Sequence, residues 1–333
     1  MPELRRVDVG EVTLRVALEG SGPLVIMVHG FPESWYSWRH QIGPVAAAGH
    51  TVAAIDVRGY GGSDKPEAVS AYAMERLVGD LVALRHALSP DAPAILVGHD
   101  WGAPIVWNSA FVNPEHFRAV AGLSVPFAGA PTRPFTEVFR EKFTAKGLFF
   151  YQEYFQQPGR AEAELEPDIR HFLTLFLTSI GGEAPADAWP AKPVDALLLD
   201  GLQVPAELPG WLTEADLDFY AREFAGSGLR GPLNRYRNHE ADHAWLSPFA
   251  GRTLDQPALY IGGTRDPAST LFGQVADPVA MMRRFAPPGR RPYARRVRSL
   301  DAAGTPGRSH SPVARLAVTF GLITSLAALS RDQ

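Results

Sequence analysis

One carboxylate is framed for nucleophilic work. Asp100 stands in Gly98-His99-Asp100-Trp101-Gly102, after the apolar run Ala94 to Val97 and before Ala103 to Asn113, which reads as a helix. A short apolar run of that kind reads as a buried strand. A sharp strand-to-helix turn crowds its own backbone, so small residues flank the apex and the apical side chain is pushed out above the sheet. An aspartate there is ionised near neutral pH and needs no base in order to attack. It suits a saturated carbon, where attack leaves an alkyl ester that must then be hydrolysed. Taken alone, Gly-x-Asp-x-Gly also fits an ordinary strand-turn-helix with an Asp near a helix N-terminus.

A second loop points at the same place. His29-Gly30-Phe31-Pro32 follows the apolar strand Leu24 to Val28, which should neighbour the strand before Asp100. A tight turn there aims the Phe31 N–H at the apex. With the Trp101 N–H it would form an oxyanion hole over the carbonyl of an Asp100 ester. His29, Pro32 and Trp38 are the candidate substrate-pocket residues. Hydrolysis of the ester calls for an acid and then a histidine, in that chain order. Asp266, in Gly262-Gly263-Thr264-Arg265-Asp266-Pro267, directly follows a strand and so reaches the active end of a sheet; Asp277 and Asp301 are alternatives. His310 is the only histidine after Asp266, so order and elimination select it.

These residues need a scaffold that presents strand ends together. Leu4 to Asp8 and Val12 to Glu19 read as a hairpin around Gly10. Leu24 to Val28, Thr51 to Ile55, the run before Asp100 and Ala119 to Leu123 alternate with helices near Trp35 to Ala47, Met74 to Leu88 and Ala103 to Asn113. That rhythm implies a mostly parallel α/β sheet with ligands at the C-terminal strand ends. The rhythm breaks at Val125-Pro126. From there to about Trp245 the pattern predicts helices and no strands: Thr136 to Lys146 with Thr136 as cap, Ala161 to Ile180, and Glu214 to Phe224. Pro185, Pro190, Pro193, Pro205 and Pro209 enforce a long irregular connection among them. The α/β rhythm resumes at Ala258 to Gly262, with a helix near Pro278 to Phe285, a strand at Ala294 to Leu300 and a terminal helix. The domains are therefore a core over 1–125 and 246–333 and a helical lid over 126–245.

Composition narrows the function class. The chain has 333 residues, 46% hydrophobic and 20% charged, so it is globular and long enough for a core and a lid. A net charge of -4 argues against nucleic acid or an anionic membrane as partner. With no cysteine, thiolate catalysis, disulfides and Cys-ligated metal are excluded, and a cytoplasmic location fits. The first residues carry no apolar signal-peptide run. Leu316 to Leu329 would span roughly 20 Å as a helix, too short for a bilayer core of about 30 Å.

Taken together, His29-Gly30-Phe31-Pro32, Arg58-Gly59-Tyr60-Gly61, Gly98-His99-Asp100-Trp101-Gly102, Tyr154-Phe155-Gln156-Gln157-Pro158-Gly159 and Arg230-Gly231-Pro232-Leu233-Asn234-Arg235-Tyr236-Arg237-Asn238 resemble the soluble-type epoxide hydrolases of the α/β-hydrolase fold. The resemblance covers about residues 4–270, and its lid motifs are the specific part. It implies an α/β-hydrolase core with an inserted helical cap. It also implies ring opening by Asp100, with Tyr154 and Tyr236 protonating the epoxide oxygen, and ester hydrolysis by water activated by His310 and Asp266. No cofactor is implied; the partners are a small-molecule epoxide and water, with a homodimer as the candidate assembly. The end of the chain departs from the family. Gly307-Arg308-Ser309-His310-Ser311-Pro312 stands where the family has Gly-x-Gly-His-Trp.

Two other readings fit the same residues. A haloalkane dehalogenase would use the same Asp100 with Trp101 as halide donor, and an impaired scaffold would bind ligand without turnover. His239-Glu240-Ala241-Asp242-His243 matches the zinc pattern His-Glu-x-x-His. Zinc needs a helix and a third ligand, and here a polar surface turn is the plainer expectation, with no metal.

Overall fold

Strand β3, Leu24–Val28, is buried at every position, as a central strand covered on both faces must be. The computed structural model describes residues 2–185, 187–263, 266 and 277–286. Around β3 lie β1 (Glu3–Asp8), β2 (Thr13–Glu19), β4 (Thr51–Ile55), β5 (Ala94–His99), β6 (Phe117–Leu123) and β7 (Ala258–Ile261). Their spatial order is β1-β2-β4-β3-β5-β6-β7. β1 and β2 pair antiparallel, β2 meets β4 antiparallel, and every pairing from β4 to β7 is parallel. Alternate side chains feed two cores. Ile26, Val28 and Leu96 point to the one built on α2 (Met74–Leu88) and α3 (Gly102–Val112). Val25, Met27, Ile95 and Val97 point to the one built on α1 (Arg39–Ala47). Gly122 lets the Trp107 ring lie against β6, since a Cβ there would meet the indole at 2.4 Å.

Between β6 and β7 the described residues form helices and irregular segments, with one isolated bridge between Leu148 and Pro193. The helices are α4 (Phe135–Lys142), α5 (Tyr151–Tyr154), α6 (Arg160–Leu165), α7 (Ile169–Ile180), α8 (Glu214–Ser227), α9 (Arg230–Tyr236) and α10 (His239–Leu246). Two expectations are corrected here. Thr136 lies inside α4 and donates to Glu240; the cap position is Pro134. The helix expected from Ala161 to Ile180 is broken after Leu165, because Pro167 cannot continue the hydrogen-bond ladder and Asp168 then caps α7 through the His171 N–H. The short helices α5, α9 and α10 fall below the length at which periodicity identifies a helix. Residues 181–185 and 187–213 form the expected irregular connection. The last described helix is α11 (Pro278–Phe285). The expected strand at Ala294 to Leu300 and the terminal helix lie outside the described residues.

The helical insertion is tied to the sheet layer by charge and by rings. Arg15 of β2 bridges Asp56 of the core and Glu223 of α8. Arg235 of α9 pairs with Asp242 of α10 and donates to the Tyr72 carbonyl, while Asp242 also accepts the Met74 N–H at 2.7 Å. Tyr36 stacks on Phe219 at 4.0 Å.

Candidate active site

Asp100 sits where β5 turns into α3, at φ 50°. A non-glycine residue in that region is strained, and such strain collects at functional sites. Glycines make room for it. A Cβ on Gly98 would lie 2.2 Å from the Gly102 carbonyl oxygen, and one on Gly102 would lie 2.1 Å from that of Val28. A Cβ on Gly30 would lie 2.4 Å from Asp100 itself. The loop after β3 is thus pressed onto the aspartate. The Phe31 N–H donates to Asp100 Oδ1 at 2.9 Å, and the Trp101 N–H also bonds the carboxylate. Burial pushes Asp100 up to about 6, against the opposing pull of His99 and of those two N–H groups.

His99 and Glu33 form a pair beside the aspartate that sequence reasoning missed. His99 Nδ1 lies 3.1 Å from Glu33, whose other oxygen accepts the Gly30 N–H at 3.0 Å. Burial alone would lower the imidazole; the Glu33 charge and hydrogen bond, with Asp100 and Asp266, instead raise it to about 9. Burial would raise the Glu33 carboxyl, but His99 and the Gly30 N–H hold it at about 2. A cation thus flanks the nucleophile at neutral pH. The available signal was an acidic residue directly after His29-Gly30-Phe31-Pro32.

The insertion brings phenols over this site. Tyr236, at the end of α9, is buried with its ring edge-on to Trp101 at 5.2 Å and to Phe31 at 5.5 Å, and the Trp101 side chain hydrogen-bonds its hydroxyl. Tyr151, which opens α5, lies 5.9 Å from Tyr236 between ring centres. Burial raises both phenols, and the Asp100 charge raises them further, so both stay protonated. Tyr154 is corrected. Its hydroxyl donates to Glu164 at 2.6 Å, with Arg160 over its ring, on the side of α5 away from this group. One helical turn carries both tyrosines, and spacing could not say which one faces inward. Gln156 locks the inward pair: its amide donates to the backbone carbonyls of Gln152 at 2.7 Å and Tyr236 at 2.8 Å.

The other expected residues fall as follows. His29 is 1% exposed and knits loops together; its Nδ1 lies 2.8 Å from the Gly30 carbonyl and its Nε2 accepts the Val57 N–H at 3.1 Å. These bonds tie the loop after β3 to the loop after β4. Trp38 packs with Val25, Met27 and Ile42 in the core on the α1 face, away from the aromatic cluster around Phe31. Pro32 is buried in the turn, after a cis peptide bond to Phe31. Asp266 follows β7 and is near enough for its charge to act on His99. His310, Asp301 and the terminal segment lie outside the described residues. The zinc-like run is a helix rather than a surface turn, and its members serve separate neighbours. His239 meets Gln152, Glu240 meets Thr136 and Asp242 meets Arg235. Among the described residues no three His, Cys, Asp or Glu side chains are grouped to hold a metal ion.

The family model of the alpha/beta hydrolase fold matches residues 23–278. The chain is 43% identical to epoxide hydrolase A of Mycobacterium tuberculosis over 274 residues, 81% of this chain and 84% of that one. It is similar to the solved structure of an epoxide hydrolase from an endophytic Streptomyces, with TM-score 0.80 and 45% identity over 86% of each chain. It is also similar to epoxide hydrolase A from Mycobacterium thermoresistibile, with TM-score 0.79, 39% identity, and 86% and 88% of the two chains covered. Elbow, oxyanion loop, overlying phenols and these likenesses agree: the chain belongs to the α/β-hydrolase fold family and, within it, to the epoxide hydrolases.

Proposed function

We propose that this protein converts an epoxide to a vicinal diol, with Asp100 as nucleophile and Tyr151 and Tyr236 as the ring-opening acids beneath a helical lid over residues 126–245. The observation that carries the reading is a strained carboxylate, gripped by two backbone N–H groups, whose charge acts on two neutral phenols, Tyr236 buried and Tyr151 partly so. Asp100 attacks an epoxide carbon, the C–O bond opens, and one phenol gives its proton to the departing oxygen. The charge that held the phenols protonated disappears as the ester forms, so proton release becomes easier when it is needed. Water then attacks the ester carbonyl, whose oxyanion the Phe31 and Trp101 N–H groups stabilise. One water proton returns to the phenolate, the other goes to the released alcohol, and the water oxygen stays on Asp100. His310 with Asp266 is the proposed base pair for that step. A small neutral epoxide is the substrate class, and the cysteine-free, mildly acidic chain supports a cytoplasmic location. No helix among the described residues is long and apolar enough to cross a membrane. Against the dehalogenase reading, the Trp101 ring N–H is engaged by the Tyr236 hydroxyl.

A single turnover of styrene oxide in heavy-oxygen water, with enzyme in excess, tests the reading. The expected result is label in Asp100 and little in the diol. Label appearing directly in the diol would mean that water attacks the epoxide, and the nucleophile assignment falls.

A further inference from the structure

We propose that Gln152 and His239 are positioning residues that dictate which way the Tyr151 hydroxyl proton points. The proposal rests on the epoxide hydrolase reading. Gln152 is 2% exposed, and its amide is used at both ends. Nε2 donates to the Tyr151 oxygen at 2.9 Å, and Oε1 lies 3.1 Å from Nε2 of His239. A primary amide has one donor end and one acceptor end, so whatever meets one end fixes the other. His239 is packed among the rings of Trp101, Phe135 and Phe139. Burial, with the nearby Arg235 charge, takes it down to about 3, so it carries one ring proton. With that proton on Nε2, His239 needs an acceptor and turns the Gln152 carbonyl toward itself. The amide NH2 must then face Tyr151. A phenol oxygen that already accepts this N–H directs its own proton elsewhere, toward the Tyr236 ring and the Asp100 charge that acts on it. The reverse amide would draw the phenol proton away from the epoxide. His239, singled out in sequence as half of a zinc pattern, thereby has a role through Gln152 and Tyr151.

The direction of the effect is what separates this from packing. In the full chain, single-turnover opening of styrene oxide at pH 8 is compared in Gln152→Met and Gln152→Glu. Methionine offers no polar partner and leaves the phenol free to turn; the carboxylate accepts the phenol proton. The expected losses are about 10-fold for Met and about 10²-fold for Glu, the range of positioned acid catalysis. In a Tyr151→Phe background the difference between Met and Glu should vanish, as coupling through one hydroxyl requires. His239→Gln, which restores an N–H at similar reach, should recover most of the rate lost in His239→Met. Nitrogen-15 NMR of the unmutated protein should find the His239 proton on Nε2. A Glu variant as fast as the Met variant, a difference that survives without the Tyr151 hydroxyl, or a His239 proton on Nδ1 would overturn the proposal. If the unmutated protein opens no epoxide, the functional reading falls, while the His239 tautomer still decides the amide direction.

Discussion

The two halves of the site are built by different means. The core half is fixed by backbone. Asp100 stands at a strained turn between strand and helix, gripped by N–H groups, and three glycines set how closely the chain packs around it. The insertion half is fixed by side chains, with Gln156, Gln152 and Trp101 holding two phenols over the aspartate. Backbone construction leaves glycines at fixed spacing, which sequence shows directly. Side-chain construction leaves only polar residues whose deciding partners can be distant, as Gln156 and Tyr236 are 80 positions apart.

Adding a methyl group to the core half should produce the largest effect. Gly30→Ala puts a Cβ 2.4 Å from Asp100, displacing both the nucleophile and the Phe31 donor. Loss of one oxyanion donor alone costs about 10²–10³-fold, so kcat/KM for styrene oxide should fall at least that far. A variant within threefold of the parent would mean that the loop is soft and that the contrast between the halves fails.

On the insertion side, Tyr151→Phe should slow ring opening by about 10²-fold, the lower end for acid catalysis because Tyr236 remains. Tyr154→Phe is the matched control three residues on. It loses a hydrogen bond to Glu164, should cost about 1 kcal/mol in denaturant unfolding, and should leave the opening rate alone. The opposite pattern in rapid-quench kinetics would restore Tyr154 as the acid.

The smallest effect is set by pH. Asp100 must be ionised to attack, and its value near 6 makes single-turnover opening fall tenfold per unit below pH 6. The same shift, upward from 3.8, sets the sign for stability. The folded state favours the neutral carboxyl, so stability is lost as pH rises from about 4 through 6. Asp100→Asn should therefore raise Tm above pH 6 and leave it unchanged near pH 4. A flat rate profile between pH 5 and 8 would place the Asp100 titration elsewhere.

Legibility in the sequence followed the same division. The order of strands and helices could be read because buried parallel strands are continuous apolar runs and their loops carry glycine and proline. Asp100, Phe31 and Trp101 were visible because sharp turns restrict residue type. Tyr151 was not separable from Tyr154, since both fit an amphipathic turn and only distant partners decide which one faces inward. Glu33 and His99 escaped notice because their partnership forms between the loop after β3 and the end of β5, and the acidic residue after His29-Gly30-Phe31-Pro32 gives no sign of its partner. Trp38 shows a related limit: adjacency in sequence to a catalytic loop does not say into which core a side chain packs.

The Gln156 amide has a mechanical consequence. By bonding the carbonyls of Gln152 and Tyr236 together, it couples α5 and α9 into one body carrying both phenols. Two proton donors that could drift separately are reduced to a single moving part. The 5.9 Å between the two ring centres is held by that one amide.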